Sequence, residues 1–216
     1  MRIDTNSILK QYDANLQNYN KLADFVEYEL TKAIKDQGIK THTLSYRIKE
    51  LDSLLGKIRR KKIVNPFEEI HDLVGFRIVC LFLTDLEEIG RIIHEQFEVF
   101  EEDDKVNDSE INIFGYMSLH LKCRIKSHVD TDSEEKIKEI PFEIQVRTIA
   151  QDAWASISHY LDYKNKSVIP EQLKRDFHAL SGLFYVADTH FSILRQEQSN
   201  LLFEKNTEKG TTKRLT

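Results

Sequence analysis

Apolar and polar residues alternate along two segments of the chain. The segment Phe142–Arg147 reads Phe-Glu-Ile-Gln-Val-Arg, and Tyr116–Ile125 shows the same period of two. Because successive side chains of a β-strand point to opposite faces, this pattern predicts two strands, each with one apolar and one polar face. A third segment, Leu73–Phe82, is almost continuously apolar apart from Arg77, which predicts a strand covered on both sides.

Apolar residues recur at every third or fourth position in several other segments, a spacing typical of amphipathic helices. The predicted helices are 7–35, 44–61, 85–97, 149–163 and a last one from after Pro170 to about Leu202, with Asn6 or Ser7 as the first N-cap. The acidic stretch Glu101–Glu110 lacks periodicity and is predicted to be a loop. The pattern favours an α+β fold with long terminal helices and a mixed or antiparallel central sheet of about four to five strands flanked by helices.

The chain length suits one domain with appended helices. We divide it into an N-terminal helical extension (1–43), a core (44–165), a C-terminal helical extension (166–204) and a polar tail (205–216). The tail has few apolar residues, so we predict that it is disordered.

Composition narrows the classes of partner. A net charge of −5 and a pI near 5.9 argue against a generally basic surface for nucleic acid. Cys80 and Cys123 fall within predicted strands and match no zinc-binding spacing, so we expect buried free thiols in a reducing compartment. The sequence has no apolar run of about 18 residues and no N-terminal signal peptide. We therefore expect a soluble cytoplasmic protein without membrane contact.

The polar faces of the predicted strands carry an unusual choice of side chains. Solvated strand faces usually carry Lys, Glu and Thr, whereas here Glu143, Gln145 and Arg147 share one face, and His120 lies on another. Asp72 directly precedes the third strand. A half-exposed strand facing bulk water explains any one of these strands alone. Taken together, they favour a polar cleft.

A ridge of cations is predicted on the helix 44–61. Its polar positions recur every four residues, with further cations beside them: Lys49, Ser53, Lys57 and Lys61, flanked by Arg47, Arg59 and Arg60. Side chains four residues apart lie one above another on a helix, so these cations repel each other unless an anion lies along them. Phosphate binding is the favoured interpretation. A solvated surface is the alternative, because Glu50 and Asp52 are interspersed.

Asp72 and Glu143 are the natural pair of metal ligands. Mg²⁺ takes hard oxygen ligands and is commonly held by one or two carboxylates, with phosphate and water completing its shell. The alternative for either acid alone is an ion pair with Arg77 or Arg147. Tyr116 could offer its ring to a base, although an aromatic residue on a strand is more often a packing residue.

Four groups of residues resemble the motifs of the synthetase domain of RelA/SpoT-type alarmone synthetases. They are Tyr46-Arg-Ile-Lys49 with Ser53 and Lys57; His71-Asp-Leu-Val-Gly-Phe-Arg-Ile78; Gly115-Tyr-Met-Ser-Leu-His120; and Glu143-Ile-Gln-Val-Arg-Thr148 with Ala153-Trp154, His159 and Tyr163-Lys164. The match extends over about Ser45–Lys164. Several ordered motifs at compatible spacing make the resemblance specific.

The resemblance implies a nucleotidyltransferase-like fold and the transfer of pyrophosphate from ATP to the ribose 3′-hydroxyl of GDP or GTP, with Mg²⁺. On the ATP side it places Arg47, Lys49, Ser53, Lys57 and Arg77. In the acceptor pocket it places Tyr116, which would stack on guanine, with His120, Gln145 and Arg147. Asp72 and Glu143 are the implied catalytic and metal-binding acids, and Glu143 would activate the 3′-hydroxyl.

The chain departs from the family pattern near its third motif. Met117 stands where the family typically has an arginine, and the segment Asp108–Phe114 lacks the usual Pro-Lys element. Loss of cations there should weaken contacts to the acceptor phosphates, so the identity of the acceptor stays open. The alternatives are the same chemistry on a tRNA 3′ end or an adenine nucleotide, and a catalytically weak nucleotide-binding regulatory module.

The family's upstream hydrolase domain has no counterpart in the sequence, because His71-Asp72 belongs to the synthetase motif. The chain therefore resembles a stand-alone small synthetase or an excised catalytic domain. Its terminal helices could pack on the core or mediate homo-oligomerisation.

Overall fold

The computed structural model describes residues 4–104, 118–131, 135–164 and 171–212. In chain order its elements are α1 (Thr5–Asp36), β1 (Thr41–Ile48), α2 (Leu51–Lys61), α3 (Pro66–Glu69), β2 (Val74–Cys80), α4 (Leu83–Gln96), β3 (Phe97–Asp104), β4 (Leu119–Ile125), α5 (Glu135–Lys138), β5 (Phe142–Thr148), α6 (Ile149–Lys164) and α7 (Glu171–Thr212). Five strands form one sheet in the order β1-β2-β5-β4-β3. β2 and β5 are parallel and the other neighbours antiparallel. This confirms the predicted α+β class with a mixed sheet.

The apolar face of the sheet packs into one core with α1 and α4. Phe76 and Phe142, on neighbouring strands, meet edge to face with their ring centroids 5.7 Å apart. From α1, Leu22, Val26 and Leu30 are fully buried in the same cluster. Each such side chain stabilises the fold by about 1.5–3 kcal/mol relative to an exposed one. This layer leaves the opposite face of the sheet available for polar residues.

The predicted helix 44–61 is wrong in its first part. Residues up to Ile48 form β1, and only α2 is helical. The interval between Leu44 and Ile48 fits a helix, but Leu44, Tyr46 and Ile48 also alternate as a strand does, and pairing with β2 decides between the two. Lys49 therefore lies between β1 and α2. The helical part of the ridge consists of Ser53, Lys57 and Lys61.

Three further boundaries differ from the predictions. Asp4, rather than Asn6 or Ser7, caps α1, because its carboxylate accepts the backbone N–H groups of both. Residues 101–104, predicted as a loop, belong to β3, where Lys122 Nζ of β4 pairs with Glu101 Oε1 at 2.5 Å. The rest of that predicted loop lies outside the described residues. α7 continues to Thr212, so residues 205–212 are helical rather than disordered.

Strand β5 passes directly into α6 through Thr148. Its Oγ1 accepts the N–H of Gln151 (3.1 Å), and Gln151 Oε1 accepts the N–H of Thr148 (2.9 Å), a reciprocal capping box. Thr148 Oγ1 also donates to the buried carboxylate of Asp188 in α7 at 2.5 Å. Burial raises the pKa of Asp188, although the hydrogen bond from Thr148 opposes this. These contacts fix the start of α6 at the end of the polar strand face.

Both cysteines are buried free thiols, as predicted. Burial is the main reason why the pKa of Cys80 rises to about 12, so this thiol is protonated at neutral pH. Among the described helices, none has an apolar stretch long enough to cross a bilayer.

Candidate active site

Strand pairing aligns the predicted site residues on the polar face of the sheet. Two rows of Cα partners cross this face: Arg47, Gly75, Glu143 and Lys122 in one, and Ser45, Arg77, Gln145 and His120 in the next. Gly75 has no side chain, and a Cβ built there would have no atom within 4 Å. The first row is therefore open between Arg47 and Glu143.

A cavity of about 220 Å³ lies over these rows. Its lining residues are Ser45, Tyr46, Arg47, Asp72, Gly75, Phe76, Arg77, Glu143 and Gln145. It thus brings two predicted ATP-side arginines together with both predicted metal ligands. A larger cavity of about 780 Å³, between the start of α1 and the end of α2, is lined by none of the site residues that the resemblance implies. We take the smaller cavity as the candidate active site because the converging charges are there.

Asp72 is the meeting point of the basic residues. Its two carboxylate oxygens each lie 2.8 Å from a lysine Nζ, Oδ2 from Lys49 and Oδ1 from Lys57. Burial alone would raise the pKa of Asp72, but the hydrogen bonds and charges of the two lysines outweigh it and hold the pKa below its ordinary value. Tyr12 Oη donates to the carbonyl oxygen of Lys49 at 3.0 Å, which ties the turn after β1 to α1.

Glu143 is held by neighbours on two strands. Its Oε1 lies 2.9 Å from His120 Nδ1, and its Oε2 accepts Gln145 Nε2 at 3.0 Å. Burial would raise the pKa of Glu143, but the hydrogen bonds from His120 and Gln145 keep it below its ordinary value, against the opposing charge of Asp72. His120 Nε2 in turn lies 2.7 Å from Ser118 Oγ. An ionised carboxylate with a fixed orientation results.

Asp152, on the first turn of α6, is a site residue that the sequence did not indicate. Its Oδ1 lies 3.3 Å from Arg147 NH1 and 3.5 Å from Arg77 NH1. Burial is the main reason why the pKa of Arg147 falls to about 10; the charge of Arg77 adds to the effect and Asp152 opposes it. Arg147 is therefore still charged at neutral pH. The sequence does show an acid just after the strand Phe142–Thr148. Whether its side chain faces the arginines, however, depends on how α6 leaves the sheet.

The structure resolves the ion-pair alternative for the two acids. Asp72 pairs with lysines and Glu143 with His120, whereas Arg77 and Arg147 share Asp152. Five of the predicted site residues line the cavity: Arg47, Asp72, Arg77, Glu143 and Gln145. Four more contact these lining residues: Lys49, Lys57, His120 and Arg147. The remaining two predictions are Ser53 and Tyr116. Ser53 is exposed on α2, one turn before Lys57. Tyr116, with Gly115 and Met117 beside it, lies outside the described residues, so its stacking role stays a prediction.

The two acids fit a hard divalent cation. Neither is protonated at neutral pH, because the pKa of each lies below an already acidic ordinary value. In the described parts of the chain, no group of three or more His, Cys, Asp and Glu is placed to hold a metal. A site with one or two carboxylates and further oxygens from phosphate and water is typical of Mg²⁺.

We expect the ion pairs of the two acids to make stability depend on pH. Both pKa values lie below the ordinary 3.8 and 4.5, so the unfolded chain binds protons more readily than the folded one. The stabilisation is fully present above those ordinary values and is lost as pH falls through the lower folded-state values. The free energies of unfolding of the parent and of Asp72→Asn, measured in urea, should therefore differ most at neutral pH. The difference between them should become smaller between about pH 5 and 3. A difference that stays constant over that range would contradict the assignment.

These features define a class: a protein with cations and paired carboxylates arranged around a cavity suited to polyphosphates. Comparison with known proteins agrees. The family profile described as "Region found in RelA / SpoT proteins" matches residues 46–168. Two Bacillus subtilis (strain 168) proteins are each 30% identical to this chain: GTP pyrophosphokinase YjbM, over 87% of this chain and 90% of its own, and GTP pyrophosphokinase YwaC, over 72% and 74%.

A solved structure shows the same fold. Small alarmone synthetase 1 from Bacillus subtilis, bound to its product pppGpp, superposes with a TM-score of 0.71 at 26% identity, covering 88% of this chain and 99% of that one. The chain belongs to the RelA/SpoT family.

Proposed function

We propose that the chain is an ATP-dependent GTP pyrophosphokinase, which transfers pyrophosphate from ATP to the ribose 3′-hydroxyl of GDP or GTP and makes ppGpp or pppGpp. The observation that carries this proposal is the convergence of Arg47, Arg77, Asp72 and Glu143 on one cavity. Cations that neutralise phosphate charge beside a fixed carboxylate suit phosphoryl-type transfer. The two relatives named as GTP pyrophosphokinases support it, and so does the pppGpp-bound neighbour.

On the donor side, Lys49 and Lys57 are the main phosphate ligands in this proposal. Both ammonium groups already hold an anion, the carboxylate of Asp72. Phosphate oxygens of ATP would compete for the same N–H donors and release Asp72. Arg47 and Arg77 face the cavity from β1 and β2. Ser53 completes the donor side as a prediction from its motif.

On the acceptor side, Glu143 accepts the proton of the ribose 3′-hydroxyl. The 3′-oxygen then bonds to the β-phosphorus of ATP, the bond from that phosphorus to the α–β bridging oxygen breaks, and AMP leaves. General-base assistance of this kind contributes about 10²–10⁴ in rate. His120 and Gln145 hold the two oxygens of Glu143 in place. Together with Arg147 and Tyr116 they line the proposed acceptor pocket.

Asp72 and Glu143 are the proposed Mg²⁺ ligands. Bound Mg²⁺ would neutralise charge on the phosphates of ATP. Lys49 and Lys57 now pair with Asp72, and binding of the ATP phosphates to these lysines would free the carboxylate for the cation. The donor nucleotide and the cation can therefore bind at the site together.

The homo-oligomer is also a proposal, and the C-terminal helix supports it. Large apolar side chains of α7 are about half exposed or more, among them Leu180, Leu183, Phe191 and Leu194. A second copy of the chain would cover such a row. We further propose a cytoplasmic location, where ATP and guanine nucleotides are abundant.

The proposal is tested by incubating the protein with γ-labelled ATP and Mg²⁺ and with GDP, GTP, ATP or bulk tRNA as separate acceptors, followed by product separation. The expected result is label in the guanine nucleotide with release of AMP. The comparisons favour this outcome over the tRNA and adenine alternatives. Label only in tRNA, or release of inorganic phosphate alone, would contradict the proposal.

Tyr116→Ala and Lys57→Ala should weaken different ligands. Loss of the Tyr116 ring should weaken binding of the acceptor nucleotide by about 1–3 kcal/mol, the contribution of one stacked base. Lys57→Ala should chiefly weaken the binding of a non-hydrolysable ATP analogue, because Lys57 Nζ already holds an anion on the donor side. Titration of each variant with both ligands measures this, with Tyr28→Ala and Lys32→Ala on the exposed side of α1 as controls. Equal losses for both ligands in both variants would show that the half-sites are assigned wrongly.

A further inference from the structure

The carboxylate of Asp152 joins two arginines from neighbouring strands. Arg77 is on β2 and Arg147 on β5, and one oxygen, Oδ1, lies within 3.5 Å of a terminal nitrogen of each. The side chain of Arg147 is 7% exposed and that of Arg77 is 40% exposed. Asp152 therefore lies between a buried cation and one that faces the cavity.

Two guanidinium groups held this close repel each other. The charge of Arg77 is among the causes that lower the pKa of Arg147, and Asp152 is the acid that opposes it. Without the shared carboxylate, the more exposed Arg77 is free to turn toward solvent. Arg147 is enclosed and would lose a charge-assisted hydrogen bond.

From Arg147 the contacts continue to Glu143. Arg147 NH2 donates to Gln145 Oε1 at 2.9 Å, which orients the amide so that its Nε2 donates to Glu143 Oε2 at 3.0 Å. An amide turned the other way would put its oxygen against the carboxylate. The orientation of Gln145, and through it that of Glu143, thus depends on where Arg147 is held.

We propose that Asp152 is a positioning residue for pyrophosphate transfer: it holds Arg77 toward the donor phosphates and, through Arg147 and Gln145, fixes the carboxylate of Glu143. The inference rests on the proposed function and adds to it a residue outside the sheet. Asp152 touches neither the reacting atoms nor the acids; it acts through the arginines.

The simpler role for Asp152 is structural. An acid in the first turn of a helix interacts favourably with the positive end of the helix dipole, and α6 begins only three residues earlier at Ile149. That role predicts a small loss of stability and no selective change in turnover. The two roles therefore differ in what they do to kcat.

The test measures kcat, the KM of the acceptor and thermal unfolding for Asp152→Asn, Gln145→Ala and the double variant. For Asp152→Asn we expect a loss in kcat of about ten- to a hundredfold, an acceptor KM within about threefold, and a melting temperature within about 3 °C of the parent. The double variant should lose less than the product of the two single losses, since both changes act on Glu143 through one chain of contacts and only the effect of Asp152 on Arg77 is separate. Asp152→Glu, which keeps the charge, should recover part of kcat. Glu88→Gln breaks an exposed ion pair on α4 and serves as the control.

The proposal would be overturned if the kcat loss of the double variant equals the product of the two single losses. A kcat for Asp152→Asn within about threefold of the parent would also overturn it. If Asp152→Asn does not fold, Asp152→Ser carries the same comparison, and failure of both to fold would assign the structural role. A parent protein that makes no guanine product would instead overturn the proposed function. The two failures are therefore distinguishable.

Discussion

Turnover should fall by at least about a hundredfold when Glu143 is replaced by Gln, while the fold and nucleotide binding persist. An amide has nearly the shape of a carboxylate but can neither accept the 3′-hydroxyl proton nor serve as well as a ligand for Mg²⁺. The measurement is kcat with GTP as acceptor, together with titration of GTP and of a non-hydrolysable ATP analogue.

The chain offers a matched control for this variant. His94 Nε2 lies 2.8 Å from Glu102 Oε2, which is the same pair of residue types at nearly the same distance as His120 and Glu143. This pair is exposed and joins α4 to the edge strand β3. Glu102→Gln should leave kcat unchanged. If Glu143→Gln keeps turnover within a few fold of the parent, Glu143 is not the base.

Asp72→Asn should separate binding from chemistry. We expect kcat to drop by about a hundredfold or more, because one of the two proposed metal ligands is lost. A non-hydrolysable ATP analogue, titrated without divalent cation, should bind as tightly as to the parent or more tightly. Asp72 competes for Lys49 and Lys57 at 2.8 Å, and its charge repels phosphates.

Asp52→Asn, at an exposed position on the first turn of α2, controls for loss of an acid on the helix that carries Lys57. Its kcat should match that of the parent. Weaker binding of the analogue to Asp72→Asn in cation-free buffer would mean that Asp72 organises the lysines for phosphate rather than masking them. Thermal unfolding of each variant separates that result from loss of the fold.

The strands with the strongest alternation were predictable from sequence, and they carry Glu143 together with His120 and Gln145, which hold its carboxylate. Glu143, Gln145 and Arg147 share one strand face, and the structure places that face beside Arg77 on the neighbouring parallel strand. Local pattern was sufficient because a period of two fixes which side chains share a face. It could not supply the partners of each charge, which come from other elements.

The errors have physical causes. The interval from Leu44 to Ile48 satisfies helix and strand periods alike, and only pairing with β2 decides. β3 was missed from its first residue, because Phe97 fits the spacing of the predicted helix 85–97 and the acidic side chains after it mask the strand pattern. The cation that pairs with Glu101 is supplied by another strand. The role of Asp152 depends on the direction in which α6 leaves the sheet. That direction is set partly by the contact of Thr148 with Asp188, 40 residues away.

The parallel pairing of β2 with β5 has a consequence for how activity appears during synthesis. Val74 pairs with Phe142, so the seam between β2 and β5, which joins the donor half of the cavity to Glu143, closes a long loop of the chain. The ribosome delivers Lys49, Lys57 and Asp72 well before Glu143. A nascent or truncated chain that ends before β5 thus has the proposed phosphate-binding cations but lacks the proposed base. By the proposed mechanism it cannot begin to transfer pyrophosphate, or to consume ATP in doing so, until the seam is complete.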